Sequence, residues 1–150
     1  TSIVIQSHII GMFLPSLITG SLIKKYGHST IIYLGAIIYF LCIFLSFYEQ
    51  TFFNYLIALV LLGIGWNFLF IGGTSLLVLC YTSSEKFKVQ GFNDVLVFSI
   101  QAIASLTAGY SILNFSWNEI NLACIPLVAL IILVSVRADI YKKQLASVKS

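Results

Sequence analysis

The chain has 150 residues, 59% of them hydrophobic and only 9% charged, with a mean hydropathy of +1.02. A water-soluble domain carries about 25% charge, so water is not the main solvent here. The net charge of +3 and pI near 8.8 do not imply nucleic-acid binding, because the eight Lys and Arg sit in loops and tail, where membrane insertion places them.

Five apolar runs follow in chain order, each near the ~20 residues that cross about 30 Å of hydrocarbon. The first, about residues 3–23, contains Gln6, His8, Pro15 and Thr19. The second, 30–47, is almost uniformly apolar. The third, 55–79, holds Gly63, Gly65, Gly72 and Gly73 around Trp66 and Asn67. The fourth spans 93–113 and the fifth 120–136. Runs of this length exclude porin-type strands, which need about 10 residues of alternating polarity. Short connections make successive helices antiparallel neighbours. The expected fold is an all-α integral membrane bundle of five transmembrane helices over residues 1–137, with a cytoplasmic tail at 138–150.

Charge sets the orientation. Lys24 and Lys25 follow the first run, Lys86 and Lys88 the third, and Arg137, Lys142, Lys143 and Lys149 the fifth. The loops at 48–50 and 114–121 hold none. Translocating Lys and Arg is costly, so the basic loops and the C-terminus are expected in the cytoplasm and Thr1 outside. Phe47, Tyr48, Phe52, Phe53, Tyr55, Phe115 and Trp117 collect at the opposite edge, where rings sit at the headgroup level. Beginning without Met and already in a membrane segment, the chain reads as a piece of a longer protein.

Several strings carry a family likeness. Gly20-Ser21-Leu22-Ile23-Lys24-Lys25-Tyr26-Gly27-His28 resembles the cytoplasmic G-x-L-a-D-r-x-G-r signature of the major facilitator superfamily. It agrees at Gly20, Leu22, Lys25 and Gly27 and departs at Lys24 and His28. The run from Gly63 to Thr74, then Glu85, Lys88, Val89, Gln90, Asn93 and Asp94, resembles helix ten and the loop to helix eleven. Gln6-Ser7-His8 and the stretch from Gly11 to Ser16 resemble helix eight. The likeness implies helices eight to twelve of a twelve-helix transporter, a partial six-helix bundle lacking its first helix and its N-terminal partner half. It also implies a small-molecule substrate moved by alternating access across a bacterial inner membrane.

Polar side chains inside the spans are the candidate substrate ligands. An unpaired amide in hydrocarbon costs several kcal/mol, so Asn67 must face either a water-filled path or a neighbouring helix. Gln101 lies about 12 Å into its span, also near midplane, with Ser105 one turn on. His8 is an imidazole well inside a span and either carries a coupling proton or is satisfied by a helix partner or water. Trp66, about 100° round the helix from Asn67, either packs or stacks on substrate. Pro15 is a kink site. At the cytoplasmic mouth, Glu85, Lys88, Asn93 and Asp94 are candidates for an ion-paired gate, with Asn93 or Asp94 as the cap of the fourth helix.

Cys42, Cys80 and Cys124 share no metal-like spacing. No metal, no cofactor and no enzymatic activity are expected, since neither a Ser/His/Asp set nor a phosphate-binding loop is present. The competing reading is a non-transporting membrane scaffold or assembly subunit, or a truncated inactive fragment.

Overall fold

The structure, a computed structural model, describes residues 2–48 and 51–148, with side chains as far as residue 140. Lys142, Lys143 and Lys149, three of the expected cytoplasmic cations, lie outside the described side chains.

The first apolar run is two helices rather than one. α1 (Ser2–Phe13) and α2 (Ser16–Tyr26) are separated at Leu14 and Pro15. Proline supplies no N–H to the turn before it and its ring crowds that turn, so the ladder stops there. α3 (His28–Ser46), α4 (Phe52–Leu77), α5 (Lys86–Asn114) and α6 (Trp117–Val148) follow, and α4 ends in a 3₁₀ turn, Val78–Cys80. With α1 and α2 counted as one span, five segments are long and apolar enough to cross a membrane. No strand occurs among the described residues.

Two ends were misjudged from sequence. α5 begins at Lys86, so Asn93 and Asp94 lie in its second and third turns and cap nothing. The turn before it is closed by Glu85, whose carboxylate accepts from the Thr82 backbone N–H at 3.1 Å and the Thr82 hydroxyl at 2.8 Å. Those two bonds hold the Glu85 carboxyl below its usual value, the side-chain bond contributing more. α6 starts on a full capping box: Ser116 Oγ accepts from the Glu119 N–H at 3.3 Å, and Glu119 accepts from the Ser116 N–H at 2.7 Å.

α4 is the centre of the bundle, packed on α1 and α3, with α2 leaning on both α3 and α4. α6 packs on α3, where Ala36, Ile43 and Val128 form the buried core. α5 buries none of its residues and rests on α6. Leu17, Leu106 and Leu113 are 78%, 84% and 86% exposed, an apolar surface that water would not tolerate and lipid requires.

The basic turns share one end. Ser29 Oγ and Tyr33 Oη at the start of α3 donate to Asp139 of α6, at 2.5 and 2.9 Å, which places the Lys24–Lys25 turn beside Arg137. Gly72, near the end of α4, lies against the His28 carbonyl, so the approach to Lys86 and Lys88 is at that end too. At the opposite end Tyr55 meets Trp117 edge to face at 5.8 Å.

The turn between α2 and α3 is built on Gly27, at φ 87° and ψ 159°, a region essentially reserved for glycine. Its N–H closes α2 by donating to the Ile23 carbonyl at 2.8 Å, and Lys25 sits 5.0 Å over the Tyr26 ring. Gly27→Ala should cost about 1–3 kcal/mol of bundle stability. Thermal unfolding in detergent checks this, and an unchanged midpoint would contradict the strained-turn account.

Candidate functional site

The break at Pro15 leaves backbone carbonyls without their usual partners, and two side chains take them up. Phe13 O accepts from Ser16 Oγ at 2.5 Å, one turn along the same chain. Met12 O accepts from Asn67 Nδ2 at 2.6 Å, across the interface with α4. A carbonyl only accepts, so this contact fixes which way the Asn67 amide points. Asn67 Oδ1 then accepts from Thr19 Oγ1 at 2.7 Å, a hydroxyl equally near the Pro15 carbonyl. Asn67 therefore ties the end of α1, the start of α2 and the middle of α4 into one buried polar knot.

Thr19 is fully buried and Asn67 only 1% exposed, so in this arrangement neither amide atom is open to a ligand. Of the two roles open to Asn67 in the sequence, helix-to-helix bonding is the one this geometry realises. His8 is engaged similarly: its Nδ1 lies 2.8 Å from the Leu59 carbonyl of α4. A carbonyl only accepts, so Nδ1 is the donor in this contact.

The close approach behind these contacts comes from Gly63. A Cβ placed there would fall 2.5 Å from the His8 carbonyl and 3.0 Å from Met12 N, so only hydrogen fits. Gly65 and Gly72 do the same against α3, whereas Gly73 has open space around it. Each face of α4 thus has a different neighbour. Gly63 and Asn67 meet α1 and α2, and Gly65 and Gly72 meet α3.

A third face of α4 carries Trp66 and Phe70, stacked at 4.7 Å and 9°. Four residues apart, they are neighbours on one helix face, and Gly73 continues it without an opposing atom. Gln101 and Ser105 are exposed on α5, and among the described residues Gln101 has no hydrogen-bond partner. Asn67 and Gln101 are not brought together, because α5 rests on α6 rather than on α4.

The basic-end candidates also separate. Gly20 and Lys25 are exposed on α2 before the Gly27 turn. Glu85 is held by Thr82, and Asp94 accepts from Asn93 at 3.3 Å. Lys88 and Asp94, six residues apart on one helix, do not share a face and cannot pair within it. Asp139 was missed: a carboxylate flanked by Arg137, Lys142 and Lys143 reads as one more tail charge, yet it anchors α6 to α3. No group of three metal-ligating side chains occurs among the described residues.

The profile described as Major Facilitator Superfamily matches residues 1–147. The chain belongs to the major facilitator superfamily. It is an integral membrane protein with an all-α fold. It is 38% identical over 128 residues to a riboflavin transporter of Brucella anthropi, covering 85% of this chain and 32% of that protein. An uncharacterised transporter of the same superfamily in Bacillus subtilis is 36% identical, over 84% of this chain and 31% of its own length. A second from Bacillus subtilis is 34% identical, over 80% and 28%. The chain thus spans about a third of the length of these relatives. No solved structure matches it.

Proposed function

We propose that the chain supplies helices eight to twelve of a twelve-helix secondary transporter that moves a small organic solute by alternating access. The basic end lies in the cytoplasm, the membrane is a bacterial inner membrane, and the N-terminal six-helix half is the partner. The protein acts as a transporter rather than an enzyme, a reading supported by its likeness to a riboflavin transporter.

The observation that carries this reading is α5. It is long and apolar enough to span a membrane, yet among the described residues nothing meets its exposed Gln101 and Ser105. An amide in a bilayer needs water or protein beside it, and transporter sites lie near the midplane between two bundles. Gln101 on α5, with the Trp66–Phe70 stack on α4, would line that path. Lys88 and Asp94 would pair with charges of the other half when the cytoplasmic side closes. Asn67 and His8 hold α1, α2 and α4 in shape beside the path.

Because one relative carries riboflavin in its name, a planar, polar-edged heterocycle is the first solute to test, and the Trp66–Phe70 stack offers it an aromatic face. The protein, expressed with whatever upstream sequence its reading frame carries, should take up riboflavin into proteoliposomes. Gln101→Ala should lower that uptake about tenfold, the worth of one buried hydrogen bond, with membrane insertion unchanged. Uptake no faster than in empty liposomes would refute the flavin substrate. Equal uptake by the variant would remove Gln101 from the path.

A further inference from the structure

α2 is a short rod between two joints, and the chain on either side of it is tied down. Before it, His8 and Met12 of α1 are bonded to α4 at 2.8 and 2.6 Å. After it, Ser29 and Tyr33 bond the start of α3 to Asp139 of α6. Between these anchors stand Pro15 at one end of α2 and Gly27 at the other.

Among the described residues, no main-chain hydrogen bond crosses from α2 back to α1. Met12 O is taken by Asn67 and Phe13 O by Ser16 Oγ, while the Leu17 N–H reaches only Leu14 O, at 3.3 Å. Helices bend where a proline interrupts the ladder in this way. At the far end, Gly27 at φ 87° joins α2 to α3 through a single residue free of side-chain restraint. α2 itself is lightly held: Thr19 and Ile23 are its buried residues, and a Cβ at Gly20 would meet nothing within 4 Å.

The polar tie between this rod and α4 has a substitute built in. Thr19 Oγ1 lies 2.7 Å from Asn67 Oδ1 and 2.7 Å from the Pro15 carbonyl of its own turn. A hydroxyl has one hydrogen and donates to one of them at a time. Turning to Pro15 releases α2 from α4 without stranding the buried hydroxyl, and Asn67 keeps its bond to Met12 and stays with α1.

We propose that α2 is a moving part of this bundle, a rod that tilts about Pro15 while Gly27 takes up the displacement. The Thr19 hydroxyl donates to Asn67 in the docked position and to Pro15 in the tilted one. Thr19 is about 6 Å along the helix from Pro15, and Lys25 about 15 Å. A tilt of about 10° therefore moves Thr19 by about 1 Å, which breaks its bond to Asn67 but leaves the junction closed. The same tilt carries the Lys24–Lys25 turn about 3 Å. Under the transport reading, on which this purpose rests, the motion opens and closes the basic end of the path.

Pulsed electron resonance tests the tilt, with the protein and its native upstream sequence in liposomes and Cys42, Cys80 and Cys124 replaced. Nitroxides are placed by Lys25→Cys with Arg137→Cys, and a reference pair by Leu79→Cys with Arg137→Cys, neither of which lies on α2. The Lys25 pair should show two distances about 3 Å apart and the reference pair one. Pro15→Ala, which returns the missing N–H and lets the ladder run through, should leave a single Lys25 distance. Thr19→Val, which deletes the docked bond, should raise the tilted share about threefold. An unchanged reference distance shows that a variant keeps its bundle, and if one variant loses it the other decides. A single Lys25 distance without either substitution, or two populations indifferent to these variants, would overturn the proposal. No solute is present, so two populations in a protein that takes up nothing would uphold the hinge and count against the transport reading.

Discussion

Asn67→Leu is expected to destabilise the bundle by about 1–3 kcal/mol, because it leaves the Met12 carbonyl at the helix break without its partner. The fully buried Thr19 hydroxyl loses one acceptor but keeps the Pro15 carbonyl at 2.7 Å. Bilayer hydrogen bonds are often worth less than this, since separated helices find other partners. Here the Met12 carbonyl is freed by the break at Pro15, so its own helix offers it nothing. Thr19→Val should cost about 1 kcal/mol, and the pair should be non-additive because both act through one knot. In a Pro15→Ala background the residue-15 N–H returns and the helix can run through. Ser16 N–H then reaches Met12 O, and the cost of Asn67→Leu should shrink. Unfolding in mixed micelles measures all four. A full Asn67→Leu penalty that persists with Pro15→Ala would show that the amide does not serve the break.

Gly63→Ala should be the most damaging conservative change in α4, at about 1–3 kcal/mol. The added carbon would sit 2.5 Å from a backbone oxygen, and backbone cannot rotate away as a side chain can. α1 and α4 must separate, which also stretches the His8–Leu59 and Asn67–Met12 bonds. Gly73→Ala, ten residues along the same helix, meets open space and should be neutral or gain up to about 1 kcal/mol from helix propensity. Thermal unfolding of the two variants side by side is the check, and equal midpoints would mean that the α1–α4 approach is not as tight as described.

These two residues show what a sequence can and cannot disclose. The spans were legible because lipid demands about 20 apolar residues and sorts cations to one side, both properties of the string itself. Pro15 was legible as a kink site because its ring restricts the backbone, although the run was read as one helix, and Gly27 marked a tight turn because glycine alone is free to make it. The start of α5 was missed although Thr82-Ser83-Ser84-Glu85 carries a capping signal, because the charges of Lys86 and Lys88 were taken to mark a loop. What Asn67 does was not legible. Its partner is a main-chain oxygen 55 residues away, orphaned by a proline, and no pattern within α4 records that. Gly63 and Gly73 are alike on paper, and only the position of α1 separates them. Asp139 hid among cations, because its partners lie more than 100 residues earlier, in α3.

The scaffold alternative loses part of its basis. It needs the glycine faces of α4 for outside partners, yet Gly63, Gly65 and Gly72 are already used against α1 and α3. What is left open is the polar and aromatic side of α4 and α5.

Thiol labelling in membranes tests that openness most directly, with Cys42, Cys80 and Cys124 replaced and a single cysteine introduced by Gln101→Cys or Asn67→Cys. A membrane-impermeant reagent should modify the position-101 thiol if it borders the proposed aqueous path, and spare the one at 67, which lies inside a helix junction. Protection at 101, or modification at 67 with none at 101, would contradict the account.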